Sequence, residues 1–291
     1  MENVMLKAAN THSQSGEDGV LAAIFDTLGI ECGTFCEFGA WDGKHLSNCF
    51  ALYEKGWGGW YIEGDRKRFT DLKRNIAEPR AEPISAFVRA TGESSLDNLL
   101  SQSTLFQKGT RHLDLLSIDI DSDDLAVWRG VKLFRPKVVV IEFNPTIPTD
   151  VYFENTPGEN EGNSPRSIYE FARSVDYDLI AVVGANLIFI DRTLAAPFTV
   201  LDLGDPAFAT GPRYFFGMNG TLFVSEPGKS AKARAPEILK VPWVGGVFPQ
   251  PVDRPFRKFD PGAKTRITLR ILSYLKMALT NPAVVLKRAL R

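Results

Sequence analysis

Seven short apolar runs punctuate the first two thirds of the chain, at 34–38, 59–62, 84–88, 113–118, 137–141, 179–183 and 187–190. They are continuous rather than alternating, which is the pattern of strands buried on both faces of a sheet. Between the early runs the apolar spacing changes to three and four residues. Val20, Leu21, Ile24, Phe25 and Leu28 mark an amphipathic helix that Ser15 and Asp18 can open as a capping box and Gly29 stops. Further helical stretches follow at 47–55, 66–76, 95–100, 125–134 and 167–175. Alternation of buried strands with helices predicts an α/β fold, doubly wound around a mostly parallel seven-stranded sheet. Only Gly184-Ala185-Asn186 separates the last two strands, too little for a crossover helix, so the sheet ends in an antiparallel hairpin.

Composition adds a size and a division. A chain of 291 residues with 44% hydrophobic content supports one large core with an appendage and excludes a disordered or fibrous protein. Cys32, Cys36 and Cys49 have no neighbouring histidine pair and read as reduced apolar side chains. The start lacks a basic and then apolar leader, and no apolar stretch approaches a membrane span, so a cytoplasmic protein is expected. The formal net charge of −1 conceals two opposed parts: residues 227–291 carry 14 Lys/Arg against 3 Asp/Glu, which leaves −12 on residues 1–226. The pattern divides at the same place, into an α/β domain at 1–226 and a proline-rich linker with a basic amphipathic tail at 227–291. In that tail Ile267, Ile271, Leu275 and Leu279 recur every four residues among Lys264, Arg266, Arg270 and Lys276. Such a segment suits peripheral contact of residues 263–291 with an anionic membrane or a protein partner, or packing on the chain's own apolar surface. Without interleaved aromatics or a recognised motif, nucleic acid is not an expected partner.

Candidate chemistry gathers where strands end. The first strand closes on Glu37 and runs into Phe38-Gly39-Ala40-Trp41-Asp42-Gly43, whose glycines allow a close backbone approach to a ligand. A pyrophosphate-binding turn wants GxGxxG before a helix N-terminus; acids before and inside this turn disfavour an anion and favour a cationic, hydroxyl-bearing ligand. Glu63 closes the second strand, about where the ribose-binding acid of a nucleotide-binding unit sits. The fourth strand leads into Asp119, Asp121, Asp123 and Asp124. Asp119 can orient an organic ligand while Asp121 faces an acceptor; the same acids with Glu142 and Asn144 can hold a divalent cation; or Ser122 to Asp124 can simply cap the next helix. The organic-ligand role is carried forward, with no resident metal. As general base Asp121 stands ahead of His45 in the glycine turn, and His112 and His12 stand behind both. The proline- and glycine-rich segment at 145–165 is either a cover over the ligand or a plain surface insertion. Trp41 and Tyr152 are the aromatics placed to stack on a ligand.

Taken in order, several pieces resemble the FkbM-type methyltransferases. They are Ser13-Gln14-Ser15-Gly16-Glu17-Asp18, the turn from Glu37 to Gly43, Ser47-Asn48, Gly56-Trp57 leading to Ile62-Glu63, and Ser95-Leu96-Asp97. Leu116-Ser117-Ile118-Asp119, Ile141-Glu142-Phe143-Asn144 and Gly184-Ala185-Asn186-Leu187-Ile188-Phe189 continue the series. The resemblance spans about residues 13–192. It implies a class I, Rossmann-like fold, S-adenosylmethionine as cofactor, and O-methylation of a small-molecule or glycan acceptor. Carried over by position, it implies that Glu37, Gly39, Ala40, Asp42 and Gly43 line the methionine end of the cofactor, that Glu63 holds the ribose, and that Asp119 lies near the sulfonium. Glu63-Gly64 departs from the family's Glu-Pro, and the third strand, ending at Arg89, offers no acid or amide for the adenine, whose contacts stay unassigned. The alternative is a non-catalytic module of the same fold that binds a partner or a membrane surface.

Overall fold

A computed structural model describes residues 1–205 apart from 77–78, 121, 146, 148, 150, 158–159 and 161, together with 208 and the backbone of 213–216 and 222–225. Strand β1 (Thr34–Phe38) is buried along its whole length and lies between β2 (Gly58–Glu63) and β4 (Leu115–Ile118), parallel to both. Outward from β2 lies β3 (Ala81–Ser85), and outward from β4 lies β5 (Val138–Glu142), again parallel. The hairpin of β6 (Tyr177–Val183) and β7 (Asn186–Asp191) completes the sheet, with β7 antiparallel to β5. The order is β3-β2-β1-β4-β5-β7-β6. The doubly wound expectation and its terminal hairpin therefore hold, and the antiparallel β7 separates this sheet from the 3-2-1-4-5-6 order of dinucleotide-binding domains.

Each face of the sheet is covered by helices because the inner strands are apolar on both sides. Helices α1 (Glu17–Thr27), α2 (Phe50–Glu54) and α3 (Arg66–Asn75) pack on one face through Val20, Leu21, Ile24, Leu52, Tyr53 and Leu72. On the other, α4 (Leu96–Ser101), α6 (Asp124–Gly130) and α7 (Pro165–Ser174) contribute Leu96, Leu100, Leu125, Trp128, Ile168 and Ala172, beside the single turn α5 (Thr104–Gln107). Strands β8 (Arg213–Phe216) and β9 (Leu222–Ser225) form a separate antiparallel pair. The linker and basic tail at 227–291 lie outside the described residues.

Several boundaries move, each for a local reason. The third strand is Ala81–Ser85, not 84–88. Pro83 is compatible with it because β3 is an edge strand, and the amide of Ala86 turns back to the carbonyl of Glu63 (3.1 Å). Arg89 therefore stands beyond the strand, in a bridge to Ser95. Helix α1 starts at Glu17 behind Gly16, and the reciprocal pair is Ser13 with Asp18 rather than Ser15 with Asp18: the amide of Asp18 donates to Ser13 Oγ (3.1 Å) and the amide of Ser13 to Asp18 Oδ2 (2.8 Å). Helix α6 stops at Gly130, short of 134, because Asp97 Oδ2 draws off the amides of Lys132 (2.7 Å) and Leu133 (2.9 Å).

Candidate ligand-binding site at the carboxyl edge

Side chains alternate along a strand, so residues two apart share a face. Tyr61, Phe35, Leu115, Val140 and Ile188 all belong to the core beneath α1, α2 and α3. By the same alternation Glu63, Glu37, Ser117, Glu142 and Asn186 occupy that face at the carboxyl ends of β2, β1, β4 and β5 and at the start of β7. One row of polar side chains thus caps the apolar core just where open α/β sheets bind ligands.

At the centre of the row the turn after β1 is held by its own backbone. The amides of Gly39 and Ala40 both donate to the carbonyl of Ile62 (3.1 Å each), that of Trp41 to Glu63 Oε2 (2.8 Å), and that of Gly43 to the carbonyl of Ala40 (2.7 Å). Asp42 Oδ1 receives the amides of Lys44 (3.0 Å) and His45 (2.7 Å). These donors are committed, so an anionic pyrophosphate would find no cradle in them, in contrast to a phosphate-binding turn. Gly39 is obligatory: its φ is +77°, and a Cβ there would lie 1.6 Å from the carbonyl oxygen of Asp119. Trp41 (φ +50°) and Leu46 (φ +59°) hold left-handed conformations without being glycine, a strain of the kind stored at binding sites.

Glu37 is buried. Ser47 Oγ donates to its Oε2 (2.5 Å) and the amide of Asn48 to its Oε1 (2.8 Å), while Asn48 Nδ2 reaches Ser117 Oγ (3.1 Å) and ties β1, β4 and the start of α2 together. Burial pushes its carboxyl up to about 7 against the lowering effect of those two bonds, and the neighbouring charge of Asp119 adds to the rise. Glu63 is also buried, and its second oxygen takes the amide of Asp65 (2.7 Å). Each glutamate accepts two bonds and keeps further lone pairs for a ligand. Beside Glu63 stand two exposed rings. Trp41 carries the guanidinium of Arg68 4.1 Å above its face, and the ring of Phe87 lies against Gly64, where a Cβ would sit 2.2 Å from Phe87 Cδ1. Phe87, at 66% exposure, is the residue that sequence reasoning placed inside a buried strand. Pro83 just before it and Gly64 opposite were the signals that pointed elsewhere.

Asp119 is exposed at the end of β4, its amide bonded to the carbonyl of Phe38 (3.3 Å). Asp121, the first candidate base, lies outside the described residues. Asp124 is buried and pins the turn by accepting from Ile120 (2.8 Å) and Ser122 (2.9 Å), and Asp123 accepts from Asn155 Nδ2 (2.8 Å), so these two acids serve the local structure. The 145–165 segment is fastened to this turn: Asn163 Nδ2 donates to the carbonyl of Ser122 (3.2 Å), and Arg129 of α6 grips Glu154 with two bonds (2.6 and 2.7 Å). Tyr152 donates to Glu154 and stands at 37% exposure.

The histidines separate widely. His45 is exposed in the glycine turn with its ring 5.7 Å from that of Trp41. His112 meets Thr34 Oγ1 (3.2 Å) at the amino ends of β1 and β4, the far side of the sheet from the row, and His12 pairs with Glu54 of α2 (2.9 Å). The segment before α1 joins the carboxyl edge from the other end: Glu17, fully buried, accepts from Asn186 Nδ2 (2.9 Å) and from the amide of Ser15 (2.7 Å). Among the described residues no three His, Cys, Asp or Glu side chains form a group able to hold a metal, and no helix is long and apolar enough to cross a membrane.

No protein-family model and no curated protein matches the chain. Among solved structures it is similar to a TehB-like SAM-dependent methyltransferase from Corynebacterium glutamicum, at 14% identity and TM-score 0.35, covering 65% of this chain and 92% of that one. A precorrin-6y C5,15-methyltransferase from Geobacter metallireducens gives 14% identity and TM-score 0.35, with 63% and 90% covered. TrmK of M. capricolum, in complex with S-adenosyl-homocysteine, gives 9% identity and TM-score 0.34, with 58% and 66% covered.

Proposed function

We propose that this chain is an S-adenosylmethionine-dependent methyltransferase of the FkbM type that methylates a hydroxyl of a small or carbohydrate-type acceptor. The observation that carries this reading is the turn at 39–45. Its amides at 39–41 and 43–45 are spent internally while buried Glu37 and Glu63 flank it, a setting that suits a cationic, diol-bearing nucleotide and opposes a pyrophosphate. The residues present fit that cofactor. When bound, it supplies a methyl group on positively charged sulfur, open to in-line displacement.

In this reading the chain's own work is binding, alignment and proton removal. Glu63 accepts from the ribose hydroxyls with the lone pairs that the amides of Trp41 and Asp65 leave over. Glu37, Gly39, Ala40, Asp42 and Gly43 form the wall for the amino-acid end, where the ionised carboxylate of Glu37 attracts the ammonium. Trp41 and Phe87 bracket the nucleoside side, and Asp119 orients the reacting centre. Asp121 takes the acceptor's proton, with His45 as the second candidate.

Titration of the full chain with S-adenosylhomocysteine in a calorimeter tests this. Saturable binding is expected, and Glu63→Ala should weaken it by about 1 to 3 kcal/mol through the loss of charge-assisted hydrogen bonds. Absence of both heat and thermal shift at millimolar ligand would overturn the proposal.

A further inference from the structure

Asn186 is unlike the rest of the polar row. Its Nδ2 donates to Glu17 Oε1, but its Oδ1 is buried and has no hydrogen-bond partner among the described residues, in a residue that is only 9% exposed. The direction of the amide is fixed by its neighbour. Glu17 takes the amide of Ser15 on one oxygen and the NH2 of Asn186 on the other, so the amide oxygen of Asn186 faces away from it. The surrounding parts leave this geometry little freedom. Gly184 comes so close to the N-terminal segment that a Cβ would lie 2.2 Å from Ser15 Oγ, and Phe143 donates its amide to the carbonyl of Ala185 (2.8 Å). Hairpin, β5 and the Ser13–Asp18 segment are thus clamped beside Asn186 Oδ1, an acceptor that lacks a donor among the described residues.

Position says which donor. Asn186 sits opposite Glu142 at the carboxyl end of β5, on the same face as Glu63 and Glu37. Strands are spaced about 4.8 Å apart, which puts β7 roughly 19 Å from β2 and roughly 14 Å from β1 along the edge. A nucleoside on Glu63 with its amino-acid end on the β1 turn leaves the edge over β4, β5 and β7 to the acceptor.

We infer that Asn186 is a recognition residue for the methyl acceptor, its Oδ1 receiving an O–H or N–H of that molecule remote from the methylated hydroxyl, with Glu17 as the positioning residue that aims it. The inference rests on the methyltransferase reading and names a property of its substrate. The acceptor is a polyhydroxylated or amino-bearing compound with a second donor, and this donor rather than a phosphate or carboxylate meets the protein at β7.

Three measurements on the full chain test it. Purified protein with S-adenosyl-[methyl-3H]methionine and a deproteinised cell extract gives label transfer as a function of extract dilution. Asn186→Leu should cut transfer about ten-fold at high dilution and recover in concentrated extract, the behaviour of a raised KM, because one acceptor hydrogen bond is lost. The double variant E17Q/N186D reverses the pair's hydrogen bond yet restores a free oxygen at 186 at unchanged total charge, and should recover most of the transfer. Equal transfer by wild type and Asn186→Leu overturns the inference. Binding of S-adenosylhomocysteine should stay within about two-fold in both variants, as for separated sites; if wild type does not bind it, the methyltransferase reading fails instead. A crystal structure of the S-adenosylhomocysteine complex decides independently of any acceptor. An ordered water or additive hydroxyl donating to Asn186 Oδ1 supports the inference, and an oxygen sealed by carbon atoms or bonded to a protein donor overturns it.

Discussion

The two ends of the polar row are built in opposite ways. At the β1–β2 end the carboxylates of Glu37 and Glu63 are held by hydrogen bonds that reach across 2 to 22 residues, most of them from backbone amides. At the β5–β7 end the holding bonds join side chains far apart in sequence: Arg129 with Glu154, Asn155 with Asp123, and Asn186 with Glu17 across 169 residues. Backbone amides survive every substitution except proline and carry little entropy of their own, so the first end is preformed once β1 and β2 pair. Side-chain clamps at the second end can be exchanged one at a time. That suits a constant ligand at one end of the edge and a variable one at the other.

The comparison is broken most severely at Gly39. Gly39→Ala drives a Cβ into the carbonyl of Asp119 at a φ of +77°, so the β1 turn must part from β4. A loss of roughly 3 kcal/mol in stability, with loss of S-adenosylhomocysteine binding, is expected by thermal melts and calorimetry. A mild alanine variant that still binds would show that the turn is less preformed than its amides suggest.

Glu37→Gln sharpens the comparison through pH. Burial raises the carboxyl of Glu37 from 4.5 to about 7 in the folded protein, so its contribution to stability is fully present below about 4.5 and is lost as the pH rises through about 7. Wild type should therefore lose on the order of 2 kcal/mol between about pH 5 and pH 8 from this group, and Glu37→Gln should flatten that slope in denaturant titrations. The same ionisation should tighten S-adenosylhomocysteine binding as the pH rises through about 7 in wild type and not in the variant. Parallel slopes in the two proteins would remove Glu37 from this role.

The smallest effect belongs to the other end. Arg129 lowers the carboxyl of Glu154 from its ordinary value by its two bonds, but both side chains are about a third exposed. Arg129→Ala should cost about 1 kcal/mol or less in stability. It should speed limited proteolysis within 151–157 while leaving S-adenosylhomocysteine affinity unchanged. An equal loss at both ends would mean that the two halves of the edge are coupled.

How much of this was legible in the sequence follows from the same contrast. Continuous apolar runs alternating with helical spacing specified seven strands, their parallel majority and the final hairpin, because strand burial and helix amphipathicity are written in neighbouring residues. Glu37 and Gly39 were legible as parts of one turn because they are neighbours in sequence. The third strand was misplaced because an edge strand with one partner tolerates Pro83 and needs less apolar sequence than a central one. Phe87 was hidden by that error, and its ring lies against Gly64, just past the end of β2. The capping role of Ser13 was hidden by the nearer Ser15.

The sequence by itself determined the class of fold and the acidic character of the sheet's carboxyl edge, since each follows from patterns a few residues wide. Only the tertiary structure decided that the turn's amides are spent, that Asp123 and Asp124 serve the local fold, that His112 lies on the far side of the sheet, and that Glu17 aims Asn186. Those facts depend on which donor meets which acceptor, near in sequence or as far as 169 residues away, and a hydrogen bond's partner is chosen by packing, which no local pattern encodes.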